Sequence, residues 1–200
     1  MPELLIATQN RGKQREFAHI FADVDLQLCT LDDLGIDLDV EETGATFSAN
    51  AALKATAYCQ LSGRPTLADD SGLEVVALNG QPGVYSARYG GLTGAAQLAY
   101  LLQQLEGVPA EARQARFVCV IALARPGGPT EFVEGFLSGM ITHEPRGSAG
   151  FGYDPLFYLP EWGQTLAELL PEQKNALSHR AAAARLARAI LTRWQTEGVL

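Results

Sequence analysis

The chain has 200 residues and a mass of 21.5 kDa, with 47% hydrophobic residues, 19% charged residues and a formal net charge of −8. A chain of this length buries roughly two thirds of its unfolded surface or more without disulfide or metal staples, and its composition excludes wholesale disorder, collagen-like repeats and coiled coils. The acidic balance argues against a broad grip on polymeric nucleic acid, and no apolar run reaches the ~18 residues of a membrane span.

Met1 to Asn10 carries no basic segment and turns polar early, so a cytoplasmic protein is expected. Leu4-Leu5-Ile6-Ala7 reads as a first strand buried on both faces. Thr8-Gln9-Asn10-Arg11-Gly12-Lys13 connects it tightly to a helix whose Phe17, Ile20 and Phe21 recur at helical spacing. A strand, loop and helix in that order bring free N–H groups to a helix N-terminus, where a phosphate can sit. An acidic segment, Asp32 to Glu42, precedes a second helix opened by Thr43-Gly44-Ala45-Thr46, with Phe47, Ala51, Tyr58 and Leu61 as apolar positions and Gly63-Arg64-Pro65 as its stop.

Thr66-Leu67-Ala68 and Leu73 to Leu78 read as two strands flanking a junction, Asp69-Asp70-Ser71-Gly72, and Asn79-Gly80 as a turn. A third helix is expected within 94–106. Phe117 to Ala124, apolar throughout, reads as a central strand; Arg125 to Gly128 turns it into a further strand over 131–141. After a glycine-rich passage, Gly147 to Pro155, the chain closes with a helix from about 176 to 194 striped by Leu177, Leu186, Ile190, Leu191 and Trp194. Strands interleaved with helices imply an α/β fold with a mixed sheet.

Cys29, Cys59 and Cys119 form no paired motif, and His19, His143 and His179 no zinc motif, so any metal would be a hard cation held by oxygen. Residues 1–50 carry ten acids against Arg11, Lys13 and Arg15, whereas Lys174, Arg180, Arg185, Arg188 and Arg193 dominate the last thirty residues. Such an asymmetry suits a small polyanion bound with a divalent cation, or simply two solvated faces. Four clusters are candidates for chemistry: Thr8 to Lys13 for phosphate; one acid from Glu41-Glu42 and one from Asp69-Asp70 for a metal, since adjacent acids on an extended chain point apart; Phe151 and Asp154 for a planar ring and its N–H; and Lys174 with Ser178-His179-Arg180 for an anion or a carbonyl oxygen. Each also has a plain reading as a cap, a turn, packing or a solvated surface.

Together and in this order, the stretches Ala7–Lys13, Glu41–Phe47, Asn50–Ala55, Ala68–Leu73, Pro82–Tyr89, Gly150–Pro155 and Ser178–Arg180 make the chain resemble the HAM1/inosine triphosphatase family of nucleoside triphosphate pyrophosphatases. The resemblance implies a single domain over 1–200: an elongated mixed sheet flanked by helices, in two lobes with a nucleotide cleft between them, assembled as a homodimer. It implies hydrolysis of inosine, deoxyinosine and xanthosine triphosphates (ITP, dITP, XTP) to monophosphate and pyrophosphate with Mg2+. By the same resemblance Thr8, Gln9, Asn10, Arg11, Gly12, Lys13 and Lys54 hold phosphates, Glu41 and Asp70 the metal, Asp70 also serves as base, and Ser71 meets substrate. Phe151, Gly152, Tyr153, Asp154, Lys174, His179 and Arg180 hold the purine. One departure is Ala49, where the family usually has glutamate; its absence predicts a helix start weaker by about 0.5–1 kcal/mol. A Maf-type pyrophosphatase of modified nucleotides and a non-catalytic nucleotide-binding module are the alternatives.

Overall fold

A computed structural model describes residues 2–200. Seven strands form one mixed sheet in the order β2-β1-β3-β4-β5-β6-β7. They are β1 (Glu3–Ile6), β2 (Gln27–Thr30), β3 (Thr66–Val75), β4 (Gln114–Ala124), β5 (Glu131–Ile141), β6 (Phe157–Leu159) and β7 (Gln164–Thr165). Strand β1 pairs in parallel with both β2 and β3, Leu5 lying opposite Cys29 and Thr66; β6 pairs antiparallel with β5 and β7. The helices are α1 (Arg11–Ile20), α2 (Phe47–Ser62), α3 (Gly94–Gln104), α4 (Pro171–Leu177) and α5 (His179–Thr196). None of the described helices is long and apolar enough to cross a membrane.

The chain divides into two compact units. One holds the residues up to Asp70 with Cys119–Gly135 and Arg180–Leu200; the other holds Ser71–Val118 and Phe136–His179. In the first, alternate residues of β1, β3 and β4 (Leu4, Ile6, Leu67, Cys119, Ile121, Leu123) meet Phe17 and Ile20 of α1 and a small-residue face of α5. That face consists of Ala181, Ala183, Ala184 and Ala187, with Leu191 and Trp194 beyond. In the second, Leu98 and Leu101 of α3 pack with Leu73, Phe117, Ile141, Phe157 and Leu166.

Several expectations change. Asp69 to Gly72 is not a junction but the middle of one ten-residue strand, buried almost throughout. Val76–Leu78 leaves that strand as a short 3-10 turn. The terminal helix is two, α4 and α5, divided at Ser178, whose extended backbone (φ −64°, ψ 155°) stands where a serine is favoured, just before a helix start. Leu61 and Leu186 are 55% and 53% exposed instead of packed, because the buried positions of α2 are Phe47, Asn50, Ala51, Ala55, Tyr58 and Cys59 and those of α5 run through Ala181, Ala183, Ala184, Ala187, Leu191 and Trp194, which leaves both leucines off the buried faces. The last two strands, β6 and β7, are too short to show a period.

Trp194 of α5 is fully buried, and its indole N–H donates to Glu131 at 2.9 Å, while Arg193 ion-pairs with the same carboxylate. The Arg193 contact and the indole bond together hold the Glu131 carboxyl below its ordinary range. A carboxyl lowered on folding contributes stability above its unfolded pKa and loses it as pH falls through the folded value. Glu131→Ala is therefore expected to cost about 1–2 kcal/mol at neutral pH, or a melting temperature lower by about 2–8 °C, a deficit that narrows below about pH 4. Thermal denaturation of both proteins across that pH range measures it.

Candidate active site

In the first unit, β1 ends at Ile6 and the chain passes through Ala7 and Thr8 into α1. Asn10 is the N-cap: its side-chain oxygen accepts the N–H groups of Gly12 at 2.8 Å and Lys13 at 3.1 Å, while its own N–H donates to the Thr8 hydroxyl. The amides of Gly12 and Lys13, expected to face phosphate, are thus already engaged by the cap. Gln9, Asn10 and Arg11 are exposed, and Thr8, Gly12 and Lys13 partly so. The Lys13 ammonium reaches Asp69 Oδ2 at 2.9 Å.

Asp69 and Asp70 are 1% and 5% exposed. Because successive strand residues face opposite ways, Asp69 points toward α1 and α5 and Asp70 toward α2. Helix α2 starts at the N-cap Thr46, whose hydroxyl still accepts the Ala49 N–H at 3.1 Å, so half of a capping box survives without glutamate. One turn in, Asn50 is completely buried: its oxygen accepts the Gly44 N–H at 2.7 Å and its NH2 donates to Asp70 Oδ2 at 3.0 Å. Four residues on, Lys54 pairs with Glu42. Burial pushes the Asp70 carboxyl above the usual range; Lys54, Lys13 and the Asn50 amide pull it back in part, and Glu42 adds to the rise. Burial alone would lower Lys54, but Asp69, Asp70 and Glu42 outweigh it and hold its ammonium charged.

Of the two adjacent glutamates, Glu42 is the one joined to Lys54 and felt by Asp70; Glu41, expected as a metal ligand, is exposed. Among the described residues no group of three acids, histidines or cysteines is spaced to hold a metal by itself. That fits a hard cation that takes one or two carboxylates and fills its shell with water and phosphate. Ser71 follows Asp70 on β3 and is half-buried.

The second unit gathers the other expected residues. Asp154, 3% exposed, accepts the Phe151 N–H at 2.8 Å and pairs with Lys174 of α4 at 2.6 Å. The Lys174 ammonium also lies 4.6 Å from the centroid of the Phe151 ring, which is 36% exposed. Gly150, at φ +79°, brings the backbone so close to Asp154 that a Cβ there would stand 2.1 Å from its carboxylate. Gly152 also has positive φ but has open space around it. Tyr153 is buried: its hydroxyl donates to the Ser86 carbonyl at 3.0 Å, and burial pushes its phenol well above the ordinary range. His179 stacks on Phe117 at 4.8 Å, with the ring planes 13° apart.

Arg180 belongs to the first unit, 1% exposed, with its guanidinium on Glu16 and Asp69. Its guanidinium shares the Asp69 carboxylate with the Lys13 ammonium. Sequence reasoning gave no role to Asn50 or Glu16, and left Glu42 as one of two adjacent acids for a metal. A signal existed for Asn50, since an asparagine inside an otherwise alanine-rich helix disfavours the helix and is tolerated where its amide has partners.

The arrangement thus offers two lysines and two acids around a buried carboxylate in one unit, and an aromatic ring with a carboxylate–ammonium pair in the other. A family model described as Ham1 family matches residues 4–190. The chain is 55% identical over 185 residues to a dITP/XTP pyrophosphatase of Geobacillus kaustophilus, covering 92% of this chain and 91% of that protein. It is 51% identical to one of Geobacter sulfurreducens, covering 92% and 93%. Solved structures of a Staphylococcus aureus Ham1 protein (TM-score 0.85, 44% identity, 95% of this chain and 98% of that one) and a Coxiella burnetii HAM1 protein (0.87, 41%, 96% and 100%) resemble it throughout.

The two glycines of the 150–152 loop separate backbone strain from collision. Gly152→Ala is expected to cost about 1 kcal/mol, the penalty of a left-handed conformation alone. Gly150→Ala must in addition displace the buried Asp154 carboxylate and is expected to cost at least about 3 kcal/mol. Urea denaturation of both variants reads the difference; equal losses would place Asp154 elsewhere.

Proposed function

The chain belongs to the Ham1 family, and on that footing we infer that it hydrolyses the non-canonical purine nucleoside triphosphates ITP, dITP and XTP to monophosphate and pyrophosphate, clearing deaminated purines from the nucleotide pool. The observation that carries the reading is the buried Asp70, its carboxyl raised by burial and flanked by Lys13, Lys54 and Glu42, in a chain 55% identical to a protein named dITP/XTP pyrophosphatase. The Maf-type and binding-only alternatives have no comparable support: the matched relatives carry dITP/XTP and Ham1 names, and Asp70, Lys13 and Lys54 are all present.

In the proposed reaction water attacks the α-phosphorus, the bond to the bridging oxygen breaks, and pyrophosphate leaves with the electron pair. Asp70 takes the proton of the attacking water. Lys13 and Lys54 leave their carboxylates to meet the phosphates and stabilise the charge that grows on the leaving group. Asp70 and Glu42, the latter in place of Glu41, are the acids suited to Mg2+. When bound, that ion supplies positive charge against the phosphates and lowers the pKa of an attached water. The Thr8–Lys13 turn and Ser71 complete the phosphate side of the proposal.

The purine stacks on Phe151, displacing the Lys174 ammonium from that ring, and Asp154 takes its N–H edge. Lys174, once displaced, and His179 favour a 6-oxo acceptor over the 6-amino donor of adenine, which would leave buried donors unpaired. A cytoplasmic location, where such a nucleotide pool would be cleared, is part of the same proposal. A homodimer belongs to the same proposal, and Phe132 and Phe136, 47% and 42% exposed on one face of β5, are apolar residues that a second copy could cover.

Three measurements test this. Asp70→Asn keeps shape but not the base, so turnover of ITP is expected to fall at least ~10²-fold. Wild-type protein with Mg2+ is expected to release pyrophosphate from ITP, dITP and XTP and far less from ATP, and little without the ion; release of orthophosphate instead would mean that another bond is cut. Phe132→Lys is expected to shift the sedimentation coefficient from dimer to monomer with the fold intact by circular dichroism.

A further inference from the structure

The glycine-rich passage of the second unit is seated on a short segment, Thr165 to Glu168, to which the proposed chemistry gives no role. The Thr165 hydroxyl donates to the Arg146 carbonyl at 2.8 Å, from a residue with no exposed surface. The Arg146 N–H closes the passage on itself at the Pro155 carbonyl, 2.9 Å away. Two backbone bonds then tie it to the segment: the Ala149 N–H donates to the Ala167 carbonyl at 3.1 Å, and the Ala167 N–H to the Asp154 carbonyl at 3.3 Å. Gly147, at φ +79°, lies so near that a Cβ there would stand 2.4 Å from the Ala167 carbonyl group. Glu168 Oε2 accepts the Thr165 N–H at 2.7 Å and lies 3.5 Å from the Arg146 guanidinium, which rests over the Tyr158 ring. Leu166 and Leu169 fix the segment in the same core as Tyr153 and Phe157.

This segment holds one partner of the Asp154–Lys174 pair and leads into the other. Asp154 is tied to it through its own carbonyl; just beyond it α4 starts at Pro171 and presents Lys174 one turn in. Both arms of the proposed purine reader therefore start from one base, and the Thr165 hydroxyl bond sets how the loop stands against α4. Without that donor the Arg146 carbonyl must turn to water, which draws the start of the loop off the segment and displaces Asp154 relative to Lys174. We propose that Thr165 is a positioning residue for base selection: by holding the Arg146 carbonyl it presets the spacing of Asp154 and Lys174 that an oxo-purine edge requires. This rests on the pyrophosphatase reading, in which the first unit holds the phosphates, and adds to it a residue that, having no exposed surface, touches neither base nor phosphate.

Thr165→Val keeps the shape of the side chain and removes its donor; Thr165→Ser restores the donor. With the valine variant, kcat/KM for ITP is expected to fall about tenfold, chiefly through KM, while that for ATP stays within about twofold, so that the preference for ITP narrows about tenfold. The serine variant is expected to stay within about twofold of wild type on both nucleotides. An unchanged preference, equal losses on ITP and ATP, or a serine variant as impaired as the valine one would each overturn the proposal. Calorimetric binding separates it from the pyrophosphatase reading: the valine variant is expected to bind inosine monophosphate about tenfold more weakly and inorganic triphosphate as wild type does, whether or not the protein hydrolyses ITP. Equal affinity of both proteins for inosine monophosphate, or no binding by either, would overturn it. If Thr165→Val fails to fold, Glu168→Ala, which removes the acceptor of the Thr165 N–H and the partner of Arg146, is expected to narrow the preference about threefold; no narrowing would overturn the proposal equally.

Discussion

Two adjacent carboxylates stand in the middle of a strand buried on both faces, and neither can stay ionised there without a partner. Strand alternation sends them to opposite sides, so the partners must come from different helices. Lys13 of α1 and Arg180 of α5 serve Asp69; Asn50 and Lys54 of α2 serve Asp70. The placement of three helices around β3 is thus tied to charge neutralisation as much as to burial. Burial also fixes the chemistry. The same desolvation that makes Asp70 costly to ionise raises its proton affinity, which is what a base for water requires.

The loop in the second unit solves a different problem with the same means. Asp154 is ordered by a backbone N–H and an ammonium, and only a residue without a side chain at 150 lets the loop close on it. Lys174 then rests on the Phe151 ring. Each lysine of the proposed site is held by an internal carboxylate: Lys13 by Asp69, Lys54 by Glu42, Lys174 by Asp154. Ligand binding in this scheme exchanges ion pairs for ion pairs, so the affinity gained is the difference between two charge-assisted contacts and not the whole of one.

The order of strands and helices was legible because β1 and β4 are continuous apolar runs, α1 carries a helical period and α2 is bounded by clear start and stop residues, and the motif residues could be named from their types and order. What the chain alone concealed was orientation. Asp69-Asp70-Ser71-Gly72 resembles a turn because polar residues and glycine normally mark one; it is a strand because partners far along the chain, at Lys13, Asn50 and Arg180, satisfy its acids. The polar ends of Tyr153 and Arg180 likewise meet groups far along the chain, Ser86 for the first and Glu16 and Asp69 for the second. The choice between Glu41 and Glu42 depends on which side of an extended backbone faces α2, information held only in three dimensions.

Asn50 has a consequence beyond its two hydrogen bonds. One end of its amide grips the backbone at Gly44 and the other grips Asp70, so the entry to α2 and the reacting carboxylate form one mechanical part. A Cβ at residue 44 would meet the Asn50 oxygen at 2.6 Å, so only glycine there lets the amide close on the backbone. Sequence drift in the loop before α2 is therefore transmitted as a displaced proton acceptor, and such variants would stay folded while losing rate.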